Sequence, residues 1–183
     1  MKTIAGRNFV ILASALLFTF SFAFSQNSAK KLERPTTLLE KLALATDQRE
    51  LMKLNGELGK YYQSKELSRS QEYFQKALGL AKELGSDSDK WVYQRHIALV
   101  ESFMGNPKKS LELCDEYLGE IKASGDSILI YYYYSIGLAH QALMSYDDAQ
   151  RFYMKVSALG DSLGEHRLST AVIGLIAKVY KQQ

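Results

Sequence analysis

Residues 136–153 read IGLAHQALMSYDDAQRFY, and this stretch decides the fold because the chain carries earlier copies of it. The copy at 97–114 reads IALVESFMGNPKKSLELC, and a slightly shorter one at 58–74 reads LGKYYQSKELSRSQEYF. Each opens on an aliphatic residue followed by a small one: Leu58-Gly59, Ile97-Ala98 and Ile136-Gly137, with Ile176-Ala177 opening a fourth. Gly59, Ala98, Gly137 and Ala177 stand 39, 39 and 40 positions apart. A period of this size marks stacked helical hairpins, each too small to bury its apolar face alone.

The small residue has a packing reason. Two helices of a hairpin approach closely only where one lacks bulk. A second small residue, Ser70, Ser110 or Ala149, follows 11, 12 and 12 positions later and is expected to face the first from the partner helix. Phe74, Cys114 and Tyr153 come four residues after that and are expected to fill the space between neighbouring units. The first unit is one residue short between its helices, which predicts an irregular turn there.

Working outward, the chain alternates between apolar runs of helical period and turn signals. Pro35-Thr36-Thr37 reads as the start of a short capping helix with Leu38, Leu39, Leu42 and Ala43 on one face. Asp47 with Glu50 has the form of a capping box for the next helix. Turns are expected at Gln63 to Glu66, at Gly105-Asn106-Pro107 and near Ser145-Tyr146-Asp147. Gly85, Gly125 and Gly160 read as unit-closing helix stops. The expected organisation is an N-terminal segment with a short helix at 26–46, then units at 47–86, 87–125 and 126–163 and an unfinished one at 164–183.

The first 25 residues are a separate object. Lys2 and Arg7 precede an uncharged stretch from Phe9 to Phe24, and Ala23-Phe24-Ser25 closes it with small residues at both recognition positions. This is the layout of a secretory signal peptide cleaved before Gln26, so the protein is expected to be exported, periplasmic or extracellular. A retained membrane anchor is the alternative, although the stretch is shorter than a bilayer span. Removing Lys2 and Arg7 leaves 21 basic against 20 acidic residues, and nothing in that balance points to nucleic acid.

Cys114 is the only cysteine, so no internal disulfide is expected, and its place on an apolar helical face reads as a small buried hydrophobe. Catalysis finds no support: no HExxH, GxSxG or paired-cysteine motif occurs. Asp87-Ser88-Asp89 and Asp147-Asp148 lie at turns and read as caps or solvated surface. No metal or other cofactor is expected. His140 stands at a packing position and reads as structural.

Leu58-Gly59 with Tyr62, Phe74 and Ala77, Ile97-Ala98 with Gly105, Ser110 and Leu118, and Ile136-Gly137 with Tyr146, Ala149 and Tyr153 together resemble the tetratricopeptide (TPR) repeat. The resemblance covers roughly residues 47–183. It departs from the family in its 39–40-residue period against 34, and in lacking the proline at the unit end. It is similar to the extended repeats of bacterial sensor and regulatory proteins. The resemblance implies an all-α fold, a right-handed superhelical α-solenoid of helix-turn-helix hairpins, acting by binding. The dicarboxylate clamp of chaperone-binding members does not carry over, because Gly56 and Lys60 stand where the clamp needs its Lys and Asn.

Tyr131-Tyr132-Tyr133-Tyr134 is the one unusual local feature. Four consecutive residues ring a helix, so not all can be buried. Counted from Gly137, Tyr131 and Tyr134 share phase with the concave groove of such repeats. Val92, Arg95 and His96 match them one unit earlier, with Lys53 and Lys60 two units earlier. The candidate groove is therefore Tyr131, Tyr134, Arg95, His96 and Lys60, aromatic with basic patches, and aromatics and Arg dominate binding hot spots. The expected partner is a protein or peptide segment.

Ala177 to Gln183 matches the first helix of a fourth unit, and Lys178, Lys181, Gln182 and Gln183 would suit a terminal solvating helix. The alternative is the front of a longer protein. Two functions are expected on these grounds: an exported, non-catalytic binding module, or the periplasmic input part of a signalling protein such as a histidine kinase or transcription regulator.

Overall fold

The computed structural model describes residues 34–124 and 127–182. The signal-peptide reading of residues 1–25 and the Gly125 stop lie outside the described residues. Eight helices follow one another, with no strand among the described residues. They are α1 (Pro35–Leu44), α2 (Gln48–Tyr62), α3 (Leu67–Glu83), α4 (Asp87–Phe103), α5 (Pro107–Ser124), α6 (Leu129–Ala142), α7 (Tyr146–Leu163) and α8 (His166–Tyr180).

Local chemistry sets the boundaries. Pro35 and Pro107 occupy first-turn positions, where the missing N–H costs nothing. The Asp47 carboxylate accepts from the Glu50 N–H at 2.8 Å and caps α2. Gly85, Gly105 and Gly164 take left-handed backbone after α3, α4 and α7. Each sits in the same pair of terminal bonds, such as the Asn106 N–H to Glu101 C=O at 2.9 Å beside the Gly105 N–H to Ser102 C=O at 3.2 Å. Met144 closes α6 in the same way at φ 60, a conformation a non-glycine residue adopts only under strain. The short first unit lacks this motif: the Glu66 N–H returns to Tyr62 C=O at 2.8 Å.

Gly160 is not the stop. It lies inside α7 and is buried, and a Cβ there would collide with the Ser169 hydroxyl of α8. Its smallness serves the approach of the two helices, while Gly164 ends the helix. In α1 the apolar face is narrower than its sequence implies: Leu38 is buried and Leu42 packs beside it, but Leu39 and Ala43 face outward. Among the described helices α1 packs chiefly on α2, which covers one stripe of it.

The small-residue reading holds atom by atom. A Cβ on Gly59 would lie 2.6 Å from the Phe74 ring, and one on Gly137 would lie 2.6 Å from the Tyr153 ring. Both rings are fully buried, so neither has room to retreat. They lie inside the hairpin rather than only between units, and Phe74 then reaches the next unit by stacking on His96 at 4.5 Å. Ser70 donates to the Gly59 carbonyl at 2.8 Å across the same crossing.

Units join by a repeated bond. Tyr93 of α4 donates to the Met52 carbonyl of α2 at 3.4 Å, and Tyr132 of α6 donates to the Trp91 carbonyl of α4 at 2.8 Å. Donors and acceptors are both 39 positions apart, so one period in the sequence is one repeat of a physical contact. The core accordingly forms a chain of clusters, one per junction, as expected of a quasi-one-dimensional array. At the last helix, Ile173, Ala177 and Tyr180 remain exposed, because no described helix covers that face of α8.

Candidate binding groove

Consecutive helices pack in order, and α4 additionally packs on α6. The second helices of the hairpins make no such approach across units. The helices α2, α4 and α6 carry all five sequence-predicted site residues.

The four tyrosines of α6 divide as a helix must divide them. Tyr132 is fully buried, committed to its bond with Trp91. Tyr133 is half-buried near Phe152 at 5.9 Å, with the Lys155 ammonium 5.3 Å from its ring. Tyr131 and Tyr134 are half-buried. The Tyr134 ring lies 6.5 Å from Tyr153, and burial pushes its phenol up to about 12. Tyr134 is thus withdrawn against Tyr153, while Tyr131 stands at an opening.

That opening is a pocket of about 260 Å³ between the early turns of α4 and α6. Ser88, Val92 and Arg95 line it from α4, Tyr131 from α6, and Ser127 and Ile128 from the segment before α6. The Arg95 guanidinium lies 5.1 Å from the Tyr131 ring centre, a cation–π contact. Its Nη2 donates to His96 Nε2 at 2.7 Å. A guanidinium has no acceptor, so Nε2 accepts and the ring proton sits on Nδ1. Both His96 Nδ1 and Arg95 Nε are buried without a hydrogen-bond partner.

The charge at this place is uncompensated. Among the described residues no carboxylate lies within ion-pairing distance of Arg95, which joins no salt bridge. The groups acting most strongly on its charge are the phenols of Tyr131, Tyr132 and Tyr134 and the Cys114 thiol. Burial lowers the Arg95 pKa from its ordinary value. His96 is held well below the usual histidine range, first by burial and then by the charges of Arg95 and Lys60. Lys60 is exposed on α2, close enough to act on His96 but outside the pocket wall. Of the five predicted residues, the structure brings Arg95 and Tyr131 into one pocket. His96 sits behind Arg95, and Tyr134 and Lys60 flank the pair.

Cys114 is buried and its thiol is pushed up to about 12, chiefly by burial, which keeps it protonated and unreactive. His140 is half-buried and stacks on Phe152 at 5.6 Å. Sequence reasoning missed Ser88, Ser127 and Ile128 as pocket walls. Ser127 and Ile128 precede α6, where the repeat gives no phase to read.

No family profile and no curated protein matches the chain. A search of solved structures finds the crystal structure of a Rap protein complexed with competence and sporulation factor, at a TM-score of 0.63 and 16% identity. The match covers 79% of this chain and 46% of the Rap chain, so this chain spans about half the length of that protein. The likeness shows the fold: an all-α, TPR-like solenoid of helix-turn-helix hairpins. No helix of the described residues is long and apolar enough to cross a membrane.

Proposed function

We propose that the chain is an exported, non-catalytic repeat module whose inner face binds a peptide or extended protein segment. One observation carries this reading. Arg95 and Tyr131, from successive repeats, share an open pocket in which the cation has no counter-charge among the described residues. A guanidinium drawn partly out of water without a counter-charge costs the fold more than its contacts with Tyr131 and His96 return, which supports a partner that supplies one. The matched Rap protein holds competence and sporulation factor, so the same architecture accommodates a partner there. The test is selection of random heptapeptides on the purified protein and on the Tyr131→Ala/Tyr134→Ala variant. Enriched peptides should bind the variant at least tenfold more weakly. Equal binding would show that the groove is misplaced. Export predicts a mature N-terminus at Gln26, read by intact mass of the secreted protein.

A second reading is the input part of a larger signalling protein. The exposed face of Ile173, Ala177 and Tyr180 on α8 favours it, because a second helix covers the equivalent face in the earlier units. Its test is the coding sequence downstream of residue 183. In-frame codons for further helices or a membrane span would support it, and a stop codon at 184 would end it.

A further inference from the structure

The groove reading leaves the chemistry of the ligand open, and the Arg95 pocket narrows it. Three properties of the pocket converge. Its floor is a guanidinium whose Nε–H is enclosed by protein and donates to nothing. The donor set already used is one N–H, given to His96, which leaves the remaining N–H groups without an acceptor among the described residues. Its walls are Tyr131, Val92 and Ile128, with the hydroxyl-bearing Ser88 and Ser127 also lining it. An acceptor-only group with two oxygens suits such a site, because it satisfies the fork geometry of a guanidinium with paired charge-assisted bonds. A cation is repelled there by Arg95, and Lys60 adds to the positive field around neighbouring His96. A purely apolar ligand would seal the guanidinium away from the water that now reaches it through the opening.

Resting on the groove reading, we propose that Arg95 is the anchor for a carboxylate of the bound peptide, with the adjoining apolar part of the peptide packed on Tyr131, Val92 and Ile128. The carboxylate has two possible sources, the C-terminus of the peptide or an Asp or Glu side chain. The pocket selects the group and not its origin. Binding would bring the guanidinium the counter-charge that no described residue supplies.

The experiment uses synthetic copies of the heptapeptides selected on the whole protein. Each is made in three forms: free acid, C-terminal amide, and Asp/Glu replaced by Asn/Gln. Affinities are measured by fluorescence anisotropy on the wild type, Arg95→Met and Arg95→Lys, with circular dichroism confirming that each variant folds. The signal of the Arg95 Nε–H is followed by NMR during titration. A carboxylate anchor predicts a tenfold or greater loss for one of the two neutralised forms, and that form identifies the source. It also predicts a similar loss in folded Arg95→Met, a smaller one in Arg95→Lys, and a shifted Nε–H signal only with the forms that keep the anchoring carboxylate. Peptides that bind indifferently to all three forms overturn the carboxylate assignment and leave the groove standing. Failure of every random heptapeptide to bind the wild type overturns the groove and the anchor with it.

Discussion

Two charged side chains of α4, Glu101 near its C-terminal end and Arg95 near its middle, have opposite surroundings. Glu101 is 1% exposed and fully provided for. Lys109 approaches it at 2.6 Å, Asn106 donates at 2.9 Å and Gln71 donates at 2.5 Å. Burial alone would raise its pKa, but the ion pair and these hydrogen bonds outweigh burial and hold it below the usual carboxylate value. The three donors come from α3, the turn after α4 and the start of α5, so Glu101 staples three elements. Arg95 has a ring and a neutral imidazole, and nothing of opposite charge among the described residues. A satisfied buried charge serves the fold, and the proposed groove would give the unsatisfied one beside an opening its use.

The contrast breaks most visibly at Glu101. Glu101→Ala leaves the Gln71 and Asn106 amides without their acceptor, while Lys109, more than half exposed, turns to solvent. Removing one partner of a buried network strands the others, so the expected loss is about 2–3 kcal/mol in urea unfolding. A loss under about 0.5 kcal/mol would put Glu101 with ordinary surface charges and remove one side of the comparison.

Arg95→Met is expected to move stability the other way. The substitution keeps an unbranched stem and deletes a charge whose burial nothing repays. It gives up the contact with Tyr131 and the bond to His96, which offsets part of the gain. The net expectation is a stabilisation of about 1–2 kcal/mol, in line with buried charges replaced by apolar side chains of similar volume. Gain in stability with loss of peptide binding is the signature of a site kept for function. A destabilised variant would place Arg95 in the same class as Glu101.

Very little of this contrast was legible in the sequence, although the fold was. The fold depends on local periodicity, and the 39-residue recurrence of Gly59, Ala98 and Gly137 carried hairpins, crossings and phase together. Gly160 misled because a glycine near a unit end has two uses, a left-handed stop or a close approach. Only the neighbouring helix decides which, here through Ser169. The stop at Gly164 does keep the period, 79 positions or two repeats after Gly85, whereas Met144 stands 39 positions after Gly105 without being glycine. The two charges were harder. Neither Arg95 nor Glu101 has an opposite charge three or four positions away on its own helix, where a helical ion pair would form. Their fates diverge through residues distant in sequence, Gln71 and Lys109 for one and Tyr131 for the other. Phase placed Arg95 and Tyr131 on one face, but that Arg95 lacks a counter-ion is a fact about three dimensions.

The smallest expected effect tests the electrostatics behind the contrast. His96 stays neutral in the fold because it is buried and because Arg95 beside it and Lys60 from α2 oppose a second positive charge. Its folded pKa lies well below the ordinary histidine value of 6.5, so on acidification the unfolded chain takes up the proton first. Stability is therefore whole above about pH 6.5 and falls as the pH drops from there toward the folded value, by about 1 kcal/mol between pH 6.5 and 5.5. Glu101 adds its own loss only lower, as the pH falls below the carboxylate value of 4.5 toward its depressed pKa. The two windows separate the two sites in one titration. His96→Gln keeps a neutral acceptor for Arg95 and should flatten the upper window while leaving the lower one. An acidic peptide seated on Arg95 would offset the charge that suppresses His96, and the upper window should narrow in its presence. An upper window unchanged by His96→Gln would mean that the histidine titrates in the fold as freely as in water, and that the field of Arg95 is screened by something other than a ligand.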